Sequence, residues 1–162
     1  MSIIDFRMAI DIRWAARTES PFTKSKPSNA AARNGLRYEQ KVGRELARHT
    51  EAGRFVDIEH NPWFQFADLY GSAQCSPDFL LYTEKKTIII VEVKLTWVEV
   101  AIHKLNDLYN PVISTALARQ ASSLLICRNL TSKAPPASAT LSAALASPYR
   151  LLHWPEIGQM RW

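Results

Sequence analysis

No apolar run in this sequence approaches the ~20 residues needed to span a bilayer. The longest, such as Ile88–Val91 and Leu124–Cys127, are a fraction of that length. The first apolar stretch, MSIIDFRMAIDIR, is interrupted by Asp5 and Asp11, which the core of a secretion signal does not tolerate. Neither an integral membrane protein nor a secreted precursor is expected, and without an export signal the chain reads as cytoplasmic. Cysteine is scarce: Cys75 and Cys127 stand in no CxxC pattern and beside no histidine pair. That excludes a structural zinc site or a four-cysteine iron–sulfur cluster within the chain, and predicts two reduced thiols. The four histidines, His49, His60, His103 and His153, show no HxxxH or HExxH spacing. There is no GxSxG elbow for a serine hydrolase and no GxxxxGK(S/T) phosphate loop for an ATPase.

What is present is enough for one globular domain: 162 residues, 18.4 kDa, 47% hydrophobic and 22% charged. Twenty basic against 15 acidic residues give a net charge of +5 and a pI near 9.4. Such a balance suits a polyanionic partner without requiring one. Ile4, Phe6, Met8, Ile10, Ile12 and Trp14 alternate with Asp5, Arg7, Asp11 and Arg13, a period of two that predicts a strand-like arm over residues 1–17. Residues 18–33, with two prolines and several cations, read as a linker. Residues 34–162 form the domain proper.

Helical periodicity runs from Asn34 to about Thr50. Strand-like stretches follow: RFVDIEH, WFQFADLY, DFLLYT and KTIIIVEVKLT, separated by Asn-Pro, by GSAQCSP and by a turn at Glu84–Lys86. A helix over Val98–Ala118 then leads into the buried strand SSLLICRNL, a βαβ crossover. A short helix is expected in Ala137–Ala146, and the apolar tail from Tyr149 should pack back. The order α-β-β-β-α-β predicts an α/β fold with a mixed central sheet flanked by helices.

The strand Thr87–Trp97 is the informative one. Ile89, Val91, Val93, Leu95 and Trp97 share one face; Ile88, Ile90, Glu92, Lys94 and Thr96 share the other. The second face turns from core to charge halfway along. Burying a carboxylate and an ammonium costs several kcal/mol unless they are paired or serve a ligand. An i, i+2 salt bridge on a half-exposed sheet is one reading, and a strand emerging into a cleft is the other. Asp78 follows Pro77 at the start of the preceding strand, and counting outward from the turn brings it opposite Glu92. Adjacent carboxylates repel and invite a hard divalent cation such as Mg²⁺. Lys94, on the same face, can hold a phosphate oxygen or orient a water. On the helix, Arg33, Arg37, Lys41, Arg44 and Arg48 form one stripe, whereas Glu39 lies about 200° round from Arg37, with Gly35, Val42 and Leu46. A glutamate on the sheet-facing side looks like a third acidic group aimed at the same place. Gly35 and Gly43 would allow close approach there.

Glu39, Pro77-Asp78 and Glu92-Val93-Lys94 together resemble the PD-(D/E)XK nuclease motif, over about Asn34 to Arg128. The resemblance implies a restriction-endonuclease-like αβββαβ core and Mg²⁺- or Mn²⁺-dependent hydrolysis of phosphodiester bonds in DNA. It implies metal ligation by Asp78, Glu92 and the Val93 carbonyl, support from Glu39, and a water- and phosphate-orienting role for Lys94. Some exonuclease branches carry Gln-x-x-x-Tyr on the following helix; Tyr109 could take the tyrosine position, but Leu105 stands where glutamine would. Nucleic-acid contacts are expected from Lys24, Lys26, Lys85, Lys86, Lys104 and Tyr109, with core packing the competing role for Tyr109. The arginine-rich stripe on the helix could track phosphates or be a solvated face. The small size favours structure-directed cutting, alone, as a homodimer paired through the N-terminal arm, or with a phage or mobile-element protein partner. The alternative is an inactive nucleic-acid-binding or structural module of the same fold.

Overall fold

The computed structural model describes residues 8, 9, 11–21 and 26–162. In chain order its elements are β1 (Trp14–Thr18), α1 (Ala30–Glu51), β2 (Asp57–His60), β3 (Trp63–Asp68), β4 (Gly71–Cys75), β5 (Phe79–Tyr82) and β6 (Ile88–Thr96). There follow α2 (Glu99–His103), a π-helical stretch Lys104–Tyr109, α3 (Asn110–Leu117), β7 (Ala121–Asn129), α4 (Leu141–Ala146) and β8 (Leu151–His153). No helix among the described residues is long and apolar enough to cross a membrane.

Five strands form the central sheet in the order β2-β5-β6-β7-β8. β5 runs antiparallel to both its neighbours, β2 and β6, whereas β7 and β8 run parallel to β6. The parallel β6–β7 pair is joined by the helical crossover expected for such a connection. α1 covers one face, setting Tyr38, Val42 and Leu46 against Phe79, Leu81, Ile89, Val91 and Val93. The other face packs Leu80, Ile88 and Ile90 against Leu105, Tyr109, Val112 and Ile113 of the crossover. The fold is thus mixed α/β, and β6 is buried on both sides over its first half.

A second, three-stranded sheet, β1-β3-β4, stands apart from the first. WFQFAD therefore belongs outside the central sheet, and GSAQC, whose glycine and serine read as a separator, is a strand paired to it from Phe64↔Cys75 to Asp68↔Gly71. Small residues suffice here because the sheet's buried weight comes from Phe64 and Phe66 on β3, which join the second core cluster. Asp68 is buried as well, and its Oδ1 accepts the Tyr70 N–H at 2.8 Å, closing the hairpin turn.

Two further boundaries differ from expectation. The helix starts at Ala30 rather than Asn34, because the Asn29 side chain caps it by accepting the Ala32 N–H and Ala30–Ala32 are strong helix formers. The N-terminal strand begins only at Trp14, since Asp11 turns the backbone left-handed (φ 55°); residues 1–7 and Ile10 lie outside the described residues. β1 pairs antiparallel with β3 of its own chain, Arg17 opposite Phe64, and is the outer strand of that sheet. Trp97 leaves the Ile89–Val91 face and joins the cluster on the far side, with Ala101 and Leu105.

The stripe on α1 is partly committed to internal work. Lys41 pairs with Glu156 at 3.0 Å, and Arg48 holds both Glu45 and the Met160 carbonyl, at 2.8 and 2.6 Å. The tail folds back as expected, with Trp154 and Met160 buried in the α1-side core.

The two helix glycines differ in surroundings. A Cβ on Gly43 would lie 3.0 Å from two atoms of the buried Phe79 ring, whereas one on Gly35 would meet nothing within 4 Å. Gly35→Ala is expected to raise stability by about 0.5–1 kcal/mol through helix propensity. Gly43→Val should lower it by about 1–3 kcal/mol through overpacking against Phe79. Urea unfolding of both variants checks this; equal effects would show that α1 does not depend on close approach at Gly43.

Candidate active site

The β5–β6 ladder runs from Tyr82↔Ile88 to Phe79↔Val91 and then stops. Asp78, the residue before β5, comes next in register, opposite Glu92. Its Oδ2 accepts the Val93 N–H at 2.7 Å, so a side chain continues the ladder where the backbone no longer does. The preceding Pro77 has no N–H to offer and ends the strand there. Because a strand residue's N–H and C=O point the same way, the Val93 carbonyl also faces the Asp78 side.

Glu92 is only 1% exposed, on the face of β6 whose earlier members, Ile88 and Ile90, are core. Its Oε1 accepts from two ammonium groups, Lys94 Nζ at 2.7 Å and Lys104 Nζ at 3.2 Å. Its Oε2 is buried and has no hydrogen-bond partner among the described residues. A buried carboxylate oxygen without a partner carries a desolvation cost.

Glu39 enters from α1, one residue past the buried Tyr38. Its Oε1 lies 2.7 Å from His60 Nε2, and the His60 ring stacks on Phe79 with centroids 4.8 Å apart. Burial, the nearby Glu92 and then Glu39 push the Asp78 carboxyl up to about 7, against the opposing pull of the Val93 N–H and Lys94. Burial alone would lower Lys94, but Glu92, reinforced by Asp78 and Glu39, outweighs it and holds the ammonium above its ordinary value. Three carboxylates and two lysines therefore share one electrostatic neighbourhood.

The π-helical stretch supplies Lys104, whose Nζ sits 4.9 Å from the centroid of Tyr109. Tyr109 is 1% exposed and donates its hydroxyl to the Ser76 carbonyl at 2.8 Å, locking the crossover to the segment before Asp78. Beside this cluster opens a cleft of about 520 Å³, with Trp63, Gln74 and Lys104 in its walls. Cys75 lies against it, but burial pushes its thiol up to about 12, which removes it as a nucleophile near neutral pH.

Glu39, Asp78, Glu92 and Lys94 are thus brought together with the Val93 backbone, and Lys104 joins them by holding Glu92. The remaining expected nucleic-acid contacts fare differently. Lys85 and Lys86 occupy the exposed β5–β6 turn, about 20 Å along β6 from Glu92. Tyr109 is buried with its hydroxyl engaged, lies against Lys104, and borders the cleft. Lys26 is exposed ahead of α1, and Lys24 lies outside the described residues. His60 was not a candidate on sequence, because only the pairing of β2 with β5, His60 opposite Phe79, brings it to Glu39.

The donor set of Asp78, Glu92, Glu39 and the Val93 carbonyl is all oxygen, as Mg²⁺ or Mn²⁺ prefers, and the buried partnerless Glu92 Oε2 is the atom such an ion would satisfy. The chain does not present a finished cage: among the described residues no three of His, Cys, Asp and Glu are gathered as metal ligands. Internal partners hold the carboxylates instead, lysines on Glu92, the Val93 amide on Asp78 and His60 on Glu39. No known family pattern, characterised protein or solved structure matches the chain.

With its carboxyl raised, folded Asp78 keeps a proton that the unfolded chain has already released, over roughly pH 4 to 7. Its contribution to stability is therefore lost as pH rises through that window. Asp78→Asn keeps an acceptor for the Val93 N–H and carries no charge. In EDTA, wild type should lose stability relative to Asp78→Asn between pH 5 and pH 8, on the order of a few kcal/mol. Parallel stability curves by urea unfolding would refute the raised carboxyl.

Proposed function

We propose that the chain is a metal-dependent deoxyribonuclease of the PD-(D/E)XK kind, with α1, β2, β5, β6, the helical crossover and β7 as its αβββαβ core. The β3–β4 hairpin would then be an insertion and β8 an addition. The observation that carries this reading is Glu92: buried, bridged by two lysines on one oxygen, bare on the other, and directly across from Asp78. A purely structural ion pair gains nothing from a second carboxylate at that position.

In this reading Asp78, Glu92 and the Val93 carbonyl would hold Mg²⁺ or Mn²⁺, with Glu39 in support. The ion supplies Lewis-acid stabilisation of the charge that grows on the phosphate during hydrolysis. Lys94, poised on Glu92 and kept fully protonated, exchanges that carboxylate for a phosphate oxygen when substrate arrives, or orients the attacking water. Lys104 remains on Glu92 and balances its charge while Lys94 is away. His60, stacked on Phe79, fixes the direction of Glu39.

One observation favours a second reading. Every carboxylate of the cluster already has an internal partner, as it would in a module that binds nucleic acid without cutting it. The two readings separate on supercoiled plasmid, single-stranded DNA and a four-way junction, each in Mg²⁺, Mn²⁺ and EDTA. Cleavage is expected with metal only, falling at least about a hundredfold in Asp78→Asn, Glu92→Gln and Lys94→Met. Absence of cleavage on all three substrates, together with no heat of Mg²⁺ or Mn²⁺ binding by calorimetry, would remove the nuclease reading and leave the non-cutting module.

A further inference from the structure

The cleft beside the carboxylates has a composition that the proposed hydrolysis does not use. At about 520 Å³ it falls within the ~300–1,000 Å³ range of small-molecule sites, and it is too confined for a double helix. Two of its lining residues also hold the acidic cluster: His60 is bonded to Glu39, and Lys104 to Glu92. Whatever fills the cleft therefore lies within one residue's length of the carboxylates on both sides. Its wall is mixed. Trp63 and Leu108 are apolar, whereas Asn61 and Gln74 bring side-chain amides, each able to donate and accept.

Aromatic and apolar walls, amide edges and one cation next to a phosphate-handling site are the complement of a nucleobase. Its flat face stacks, its edge carries donors and acceptors, and its own phosphate is anionic. In a duplex each base is stacked on both faces, so only an unpaired or extruded base can enter such a cleft. We infer that the cleft is a subsite for one unpaired nucleotide next to the scissile phosphate, so that the substrate is single-stranded DNA or a single-stranded segment of a branched molecule. This deepens the nuclease reading and rests on it for the identity of the neighbouring phosphate. The β3–β4 hairpin, placed outside the central sheet, then has a purpose: Trp63, Gln74 and Cys75, three of the cleft residues, come from it.

The test is binding without cleavage. Fluorescence anisotropy of the full chain in EDTA compares a labelled ten-nucleotide oligothymidine with a labelled duplex of equal length. Wild type is expected to bind the strand at least tenfold more tightly than the duplex. Trp63→Ala should weaken strand binding about tenfold, in line with the loss of one stacking platform. Gln74→Trp, at an exposed strand position where tryptophan is well accepted, should plug the cleft and do the same if Trp63→Ala fails to fold. Equal affinity for strand and duplex, or strand binding unmoved by Gln74→Trp, overturns the subsite. Strand binding that depends on Trp63 and Gln74 with no metal-dependent cleavage of any substrate keeps the subsite and removes the nuclease. Metal-dependent cleavage indifferent to both variants does the reverse.

Discussion

The carboxylate of Glu92 is buried where β6 loses its antiparallel partner, and its charge is balanced by two ammonium groups that meet on one of its oxygens. A lone carboxylate at that depth would cost several kcal/mol, so the neighbouring elements are arranged around its neutralisation. Lys94 comes from the same strand, two residues on. Lys104 comes from the crossover, where the π-helical stretch places it and Tyr109 braces it against Ser76. Asp78 takes up the Val93 amide that β5 has left behind. One residue's burial thereby ties together the end of a ladder, the start of a hairpin and a local irregularity in a helix. Irregularities of that kind are frequent at functional sites.

The two sheets divide the work. The central sheet supplies rigidity: β6 is packed by α1 on one face and by the crossover on the other, and its first four residues are fully apolar. The small sheet supplies shape, since it borders the cleft yet stands outside the main ladder. They are linked at the surface by Arg17 of β1, which reaches Glu59 of β2 at 2.7 Å and Tyr82 of β5 at 2.6 Å. That bidentate contact is partly exposed and adds modestly to stability. Its geometric effect is larger, because it fixes the edge of one sheet to the edge of the other beside His60.

Much of this was legible in the residue pattern, for definite reasons. Strict alternation along β6, switching from isoleucine to charge, located Glu92 and Lys94. Symmetric counting from the Glu84–Lys86 turn placed Asp78 opposite Glu92, because a tight hairpin leaves little freedom of register. The side of α1 bearing Glu39 followed from helical periodicity. What stayed hidden depended on long-range pairing. His60 reaches Glu39 only through the β2–β5 register, and GSAQC is a strand only because β3 waits beside it. The helix start at Ala30 was signalled by Asn29, but the serines, prolines and lysines before it spoke for a loop. Lys85 and Lys86 were chosen by charge alone, and strand length sets them about 20 Å from Glu92.

The tail's grip on α1 bears on how the chain is made. Glu39 rides on a helix held by residues synthesised far later: Tyr38 donates to the Trp154 carbonyl 116 positions downstream, and His49 and Arg48 both contact the Met160 carbonyl. At ribosomal speeds of about 5–20 residues per second, that separation is a delay of roughly 6–23 s. Over that interval the apolar side of α1 lacks part of its cover, and β7 and β8 have yet to flank β6. The acidic cluster therefore reaches its final support only after β7, β8 and the segment through Met160 have been made.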